Sequence, residues 1–167
     1  FAIGNYFYDL AVNAHTNKSF LTAGSKQKPL SKKEERKKEN KAFLADVKSD
    51  AWYVTSSDKL KLKLYAADYK QPTKTNKWAI VVHGYGGQST DMASWTRHFY
   101  NKNYNVVTPD LRGHGKSQGD YIGMGWDDRK DMLLWIAKII QKDPQVEIVL
   151  LGVSMGGATV MNTSGEK

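Results

Sequence analysis

The stretch that decides the fold is Val146-Glu147-Ile148-Val149-Leu150-Leu151-Gly152-Val153-Ser154-Met155-Gly156. Its first part, residues 146–151, is an apolar run that predicts a buried strand. The pattern Gly-x-Ser-x-Gly follows, and it turns a strand sharply into a helix so that the serine is exposed at the strand end. Gly152 and Gly156 suit such a turn, because neighbouring backbone passes too close for a side chain. We therefore predict that Ser154 is a nucleophile at the carboxyl edge of a sheet.

The segments before this stretch alternate between strand and helix patterns. Residues 78–82 are continuously apolar and residues 104–108 are centred on Val106 and Val107, patterns that we interpret as parallel strands covered on both faces. Helices are predicted at about 89–102 and 126–142. This alternation indicates right-handed crossovers and a mostly parallel sheet, an α/β fold. Before it, a hairpin with one face in water is predicted, and its second strand is the alternating Lys/Leu run 59–64.

A glycine-rich loop, His83-Gly84-Tyr85-Gly86-Gly87, follows the predicted strand 78–82. Serine attack on a carbonyl creates an oxyanion, which needs two preorganised N–H donors. We predict that these donors are the backbone N–H groups of Tyr85 and Met155. The supporting glycines, which let the loop backbone aim inward, are Gly84, Gly86 and Gly87.

Two histidines lie in loops that follow predicted strands, at the edge where ligands gather in open sheets. His83 immediately precedes the proposed oxyanion loop, so we interpret it as a structural residue whose ring bonds to backbone rather than as the base. His114 has a similar interpretation within the loop 110–117. In that loop, Asp110 and Arg112 are predicted to pair and brace the turn.

Composition excludes several kinds of chemistry. The 167 residues include no cysteine, which removes disulfides, thiolate nucleophiles and cysteine-ligated metals. Of the net charge of +8, a balance of +5 lies in residues 26–41. Ser31 and Glu34 form a capping-box pattern that predicts a helix over about 31–48, whose basic beginning is a solvated face. Nucleic-acid binding is not expected, because no aromatic residue is interleaved with these charges.

The ordered motifs HGYGG at 83–87, DLRGHGKS at 110–117 and GVSMGG at 152–157 resemble the α/β-hydrolase superfamily, in its serine aminopeptidase-like and lipase-like branch. The resemblance covers about residues 51–157. It implies a triad in the chain order serine, acid, histidine. Residues 155–167 contain Glu166 but no Asp and no His. The resemblance therefore implies that 49–167 is the N-terminal half of the catalytic domain, without its acid, histidine or lid.

The first part of the chain, residues 1–48, resembles in its arrangement the membrane-anchored hydrolases of Gram-positive bacteria. An aromatic segment at 1–12 is followed by the basic helix, a layout that suggests attachment at the outer face of a bacterial membrane. Segment 1–12 is too short to span a bilayer. An ordinary helix packed on the domain, in a cytoplasmic protein, is an equally open interpretation.

The motifs together predict a serine hydrolase that acts on a small-molecule ester or amide through an acyl-enzyme on Ser154. No metal or organic cofactor is implied. An acyltransferase or a carbon–carbon bond hydrolase on the same fold is one alternative, and a non-catalytic binding protein is another. Without a base, these residues alone are expected to be inactive. The unpaired edge of strand 146–151 also predicts self-association.

Overall fold

The protein is described by a computed structural model that covers Tyr8, residues 11–15 and residues 30–166. Its strands are β1 (Asp50–Thr55), β2 (Lys63–Tyr69), β3 (Lys77–Val82), β4 (Asn105–Pro109) and β5 (Glu147–Gly152). Its helices are α1 (Leu30–Asp46), α2 (Ala93–Tyr100), α3 (Asp128–Lys142) and α4 (Met155–Ser164), and a 3₁₀ turn (Ser89–Met92) precedes α2.

The strands form one five-stranded sheet in the order β1-β2-β4-β3-β5. β3 pairs in parallel with both β4 and β5, whereas β2 is antiparallel to its neighbours β1 and β4. α2 connects β3 to β4, and α3 connects β4 to β5. The predicted α/β fold with parallel crossovers is therefore confirmed. The parallel arrangement brings the carboxyl ends of β3, β4 and β5 to one edge of the sheet.

The predicted hairpin of β1 and β2 is present, but its second strand was placed too early. β2 begins at Lys63 and is buried from Leu64 to Tyr69, while Leu60 in the preceding turn is 56% exposed. The expectation of one wet face was wrong for β2, because this strand lies between β1 and β4 and both of its faces carry core residues. Most of the alternating lysines and leucines instead lie in the turn and loop that precede the strand.

The sheet has a hydrophobic core on each face. One core joins Trp78 and Ile80 of β3 to Trp135 and Ile139 of α3. The other core contains Phe43 of α1 and apolar residues of β2, β3 and β4. Helices therefore cover both faces, as expected for a sheet whose central strands read as continuous apolar runs. β5 is less buried, and its Val149 is 38% exposed.

The basic helix predicted at 31–48 is observed as α1. The predicted capping contact of Ser31 lies outside the described side chains, and most of the aromatic segment 1–12 lies outside the described residues. Within the described part of the chain, no helix has the length and hydropathy required to cross a membrane.

Candidate active site

Ser154 lies between the end of β5 and the start of α4 in a strained backbone conformation. Its φ is +54° and its ψ is −119°. Residues other than glycine rarely adopt a positive φ, and such strain clusters at functional sites. Ser154 is exposed, and its hydroxyl forms no hydrogen bond with any residue that the structure describes. The side chain is thus held in the open at the carboxyl edge of the sheet.

The turn around Ser154 requires glycine at two positions. A Cβ atom on Gly152 would lie 2.1 Å from the carbonyl oxygen of Gly156. A Cβ atom on Gly156 would lie 2.5 Å from the carbonyl oxygens of Val82 and His83. These distances are far below van der Waals contact, so the close backbone approach predicted for both glycines is present. Through Gly156, the first turn of α4 packs directly onto the end of β3.

The glycine-rich loop after β3 lies beside the serine. A Cβ atom on Gly84 would be 3.3 Å from the Cβ of Ser154 and 3.9 Å from its Oγ. The loop closes tightly, since Gly87 N–H donates to the Gly84 carbonyl at 3.1 Å and Gly86 has a φ of +69°. Tyr85 is held from its other end, because its phenol hydroxyl donates to the carbonyl oxygen of Ala11.

The first turn of α4 provides the other predicted oxyanion donor. Met155 is the first residue of this helix, where a backbone N–H has no carbonyl partner four residues earlier. The fold therefore brings the loop that contains Tyr85 and the helix start that contains Met155 together around Ser154. That their N–H groups bind an oxyanion remains a prediction.

His83 is buried and bonds to backbone on both sides. Its Nδ1 lies 2.7 Å from the Gly84 carbonyl oxygen, and its Nε2 accepts the Leu111 N–H at 3.0 Å. Because a carbonyl only accepts and an amide N–H only donates, Nδ1 carries the proton. Burial lowers the pKa of His83. Both ring nitrogens are occupied, so the ring makes the structural bonds that we predicted and does not contact the hydroxyl of Ser154.

His114 completes the connection between the two loops. Its Nε2 accepts the N–H of Gly86 at 3.2 Å, and its Nδ1 donates to the Arg112 carbonyl at 3.0 Å. The ring centroids of His83 and His114 lie 4.9 Å apart. These histidines support the glycine-rich loop, and neither is placed as the base of Ser154.

The predicted pair of Asp110 and Arg112 was wrong. Asp110 instead accepts the backbone N–H groups of Ser89, at 2.6 Å, and Lys116, at 2.8 Å. Arg112 turns towards α3 and binds Asp131 through two hydrogen bonds of 2.8 Å. The Asp110 carboxylate therefore binds backbone N–H groups. The Arg112 guanidinium instead donates two parallel hydrogen bonds to the Asp131 carboxylate.

Arg112 also binds two further partners that the sequence interpretation missed. Its Nη1 donates to Asp58 at 2.7 Å and to the Tyr121 hydroxyl at 2.6 Å. Only the pairing with Asp131 had a signal in the sequence, because Asp131 is an acid next to Met132 on the apolar face of the predicted helix α3. A carboxylate on a buried face needs a charged or hydrogen-bonding partner.

A cavity of about 360 Å³ opens beside Ser154, and we call it the serine-side cavity. It is lined by most of the loop 83–87 and Val153, and also by Trp95 and two charged residues, Arg36 and Asp91. No group of His, Asp or Glu side chains suited to hold a metal ion occurs among the described residues.

Comparison with known proteins matches more than half of this sequence to a family. The family model described as serine aminopeptidase, S33 (Hydrolase_4), matches residues 73–167. The chain belongs to this family. As a serine aminopeptidase S33 family member, it contains the glycine-rich loop and the serine turn within the matched region. The resemblance to α/β hydrolases is thereby confirmed, whereas the likeness to membrane-anchored proteins of Gram-positive bacteria stays a prediction.

Solved structures share the fold of this family member. The esterase Pf2001 of Pyrococcus furiosus has a TM-score of 0.64 at 24% identity, over 73% of this chain and 47% of that one. XC6422 of Xanthomonas campestris, an α/β serine hydrolase without a lid, has a TM-score of 0.55 at 19% identity, over 69% of this chain and 56% of that one. The structure is therefore a partial α/β-hydrolase fold.

A curated relative is the uncharacterized protein YfhR of Escherichia coli. It is 31% identical over 93 residues, which make up 54% of this chain and 32% of YfhR. The chain thus spans about a third of this relative and about half of the two solved structures.

Proposed function

We propose that the full-length protein is a serine hydrolase that cleaves an ester or amide bond of a small acyl compound through an acyl-enzyme on Ser154. The observation that carries this proposal is the backbone of Ser154, with its φ of +54° at the end of β5 and its side chain exposed. Strain of this kind persists only where the surrounding structure enforces it. Here the enforcing contacts are those of Gly152 and Gly156.

The proposed reaction begins when Oγ of Ser154 attacks the substrate carbonyl carbon and forms a C–O bond. The carbonyl oxygen becomes an oxyanion, which accepts hydrogen bonds from the N–H groups of Tyr85 and Met155. Collapse of this intermediate breaks the bond to the leaving alcohol or amine, which takes up the proton that the serine gave to the base. Water then hydrolyses the acyl-enzyme and releases the acid.

We propose that the base and its orienting acid are none of the His and acidic residues near Ser154 that the structure describes. His83 and His114 use both ring nitrogens for backbone hydrogen bonds, so neither has a free acceptor for the serine proton. Glu166, the acid closest in sequence after Ser154, is paired with Arg129. Because the triad order of this fold is serine, acid, histidine, we propose that both partners lie beyond residue 167 in the full-length protein.

Labelling with a serine-directed fluorophosphonate tests the proposal. The full-length protein, Ser154→Ala and the matched control Ser164→Ala, an exposed serine on α4, are treated in parallel. We expect labelling of the parent protein and of Ser164→Ala but not of Ser154→Ala. Hydrolysis of 4-nitrophenyl butyrate falls at least about a thousandfold in Ser154→Ala, because the members of a triad act as a unit. Equal labelling of Ser154→Ala, or no labelling of the parent protein, would contradict the proposal.

A further inference from the structure

The N-terminal helix α1 contributes a cation to the wall of the serine-side cavity. Arg36 lines this cavity together with Gly84 and Val153. Gly84 is the residue whose Cβ position lies 3.9 Å from Oγ of Ser154. Arg36 therefore lines a cavity whose wall includes Gly84 and Val153, the neighbours of the proposed nucleophile, although it comes from a helix outside the region that the family model matches.

The placement of Arg36 follows from how α1 packs on the domain. Arg36, Asn40 and Phe43 are spaced four and three residues apart, so they share one face of the helix. Phe43 is buried against the rings of Tyr69 and Tyr100. Asn40 Nδ2 donates to the hydroxyl of Ser94 at 2.7 Å, and Ser94 itself lines the cavity. These contacts hold the Arg36 face of α1 towards the cavity.

Arg36 differs from the other arginines of the chain in its ion pairing. Arg97, Arg112 and Arg129 each form an ion pair with a carboxylate. Arg36 forms none with any residue in the described ranges. A guanidinium that lines a cavity and forms no ion pair with a protein carboxylate is suited to bind a carboxylate or phosphate of a ligand in a bidentate way.

The other charged group in the cavity wall is already engaged by the protein. Asp91 accepts the backbone N–H of Gln88 at 2.9 Å, at the start of the 3₁₀ turn, where a carboxylate is favoured. His83 adds no positive charge, because its Nε2 accepts the Leu111 N–H, and burial lowers the pKa of its ring in the same direction.

We propose that Arg36 determines specificity by binding a negatively charged group of the substrate, a carboxylate or a phosphate, in the serine-side cavity. This inference rests on the proposed hydrolase function. Met92 and the half-exposed ring of Trp95 line the same cavity, and they would contact the carbon chain between the reacting carbonyl and the anionic group.

Matched ester pairs test this inference in the full-length protein. One pair is 4-nitrophenyl hydrogen glutarate and its neutral methyl ester, which differ in charge on the acyl part. The other pair is the butyrate esters of 3-hydroxybenzoate and of its methyl ester, which differ in charge on the leaving part. The values of kcat/KM are measured for the parent protein, for Arg36→Gln and for Lys38→Gln. Lys38 is a matched control because it lies on α1 but does not line the cavity.

In at least one pair of esters, the kcat/KM of the anionic ester relative to the neutral ester is expected to fall about fivefold in Arg36→Gln. A change of this size corresponds to the loss of one exposed ion pair. The kcat/KM of the neutral ester, and both ratios in Lys38→Gln, stay unchanged. In 0.5 M NaCl, screening lowers the ratio of the parent protein towards that of Arg36→Gln.

Unchanged ratios in Arg36→Gln for both pairs, with normal hydrolysis of the neutral esters, would overturn the inference alone. An equal drop in Lys38→Gln would also overturn it, since the effect would then come from the general field of the helix. If the parent protein neither hydrolyses any of the four esters nor takes up the fluorophosphonate on Ser154, the proposed function fails, and the inference fails with it.

Discussion

The ring of His83 accepts the backbone N–H of Leu111 at 3.0 Å and thereby ties the end of β3 to the loop after β4. The same ring donates to the carbonyl of Gly84, the residue beside Ser154. One buried side chain thus fixes the glycine-rich loop relative to a neighbouring strand end. A structural histidine in this place explains how a loop with three glycines can hold a defined backbone.

Replacing His83 by Ala is expected to lower the free energy of unfolding by about 1–3 kcal/mol, because the Leu111 N–H and the Gly84 carbonyl lose their partner. Urea unfolding of the full-length protein measures this loss. His98→Ala is the control, since His98 is exposed, and its effect is expected within about 0.5 kcal/mol. Equal stability of His83→Ala and the parent protein would contradict the structural role.

The stability contributed by His83 is also expected to depend on pH. Burial lowers the pKa of His83 in the folded state, so the unfolded chain binds a proton more readily. The contribution is therefore fully present above the unfolded pKa of about 6.5 and is lost as the pH falls through the folded pKa. As the pH is lowered in steps from 7, the free energy of unfolding should fall more steeply for the parent protein than for His83→Ala. Parallel curves would contradict the expectation.

Gly156→Ala is expected to destabilise the protein and to disturb the serine turn. The added Cβ would lie 2.5 Å from two backbone oxygens, which cannot move as the end of a side chain can. Overpacking of this kind costs about 1–3 kcal/mol or more. Thermal unfolding and fluorophosphonate labelling of Ser154 measure the two effects.

The neighbouring Gly157 provides the control for Gly156→Ala. Its Cβ position has its nearest neighbour at 3.4 Å, an ordinary contact, and it lies inside α4. Gly157→Ala should therefore stabilise the helix by about 0.5–1 kcal/mol. A similar loss of stability in both variants would show that the close approach at Gly156 is not what requires glycine there.

The sequence predicted the parts of the fold that depend on local pattern. The apolar runs of β3, β4 and β5 and the serine turn are each encoded within a few neighbouring residues, and the structure contains them. The course of β2 could not be predicted in this way. Its run from Leu64 to Tyr69 is buried because β4 pairs with it, and that pairing joins residues about forty positions apart.

The side-chain partners in the site show the same limit. The backbone bonds of His83 were predicted, because a histidine directly after a buried strand has backbone close on both sides. The partner of Arg112 was predicted wrongly as Asp110, two residues away, because the true partner, Asp131, comes from the next helix. Arg36 was interpreted as part of a solvated helix face, and only the packing of Phe43 and Asn40 places it in the serine-side cavity.

Arg112→Met is expected to destabilise the protein by about 3–5 kcal/mol, because the buried carboxylate of Asp131 loses its bidentate partner. Urea unfolding measures the change. The double variant Arg112→Met, Asp131→Leu is expected to recover much of the loss, since it removes both charges of the buried Arg112–Asp131 pair. A double variant less stable than Arg112→Met would contradict the assignment of the loss to an unpaired carboxylate.

Ser154→Gly is expected to be inactive and yet more stable than the parent protein. Glycine adopts the φ of +54° without the steric cost that serine bears there, a cost of about 1–3 kcal/mol. Part of this gain is offset by the greater backbone entropy of unfolded glycine, so a net gain of about 1 kcal/mol is expected in urea unfolding. Ser154→Ala, equally inactive, keeps the strained backbone and should match the parent protein in stability. If the glycine variant is no more stable than the alanine variant, the serine turn stores no strain, and the main structural argument for a nucleophile at Ser154 is lost.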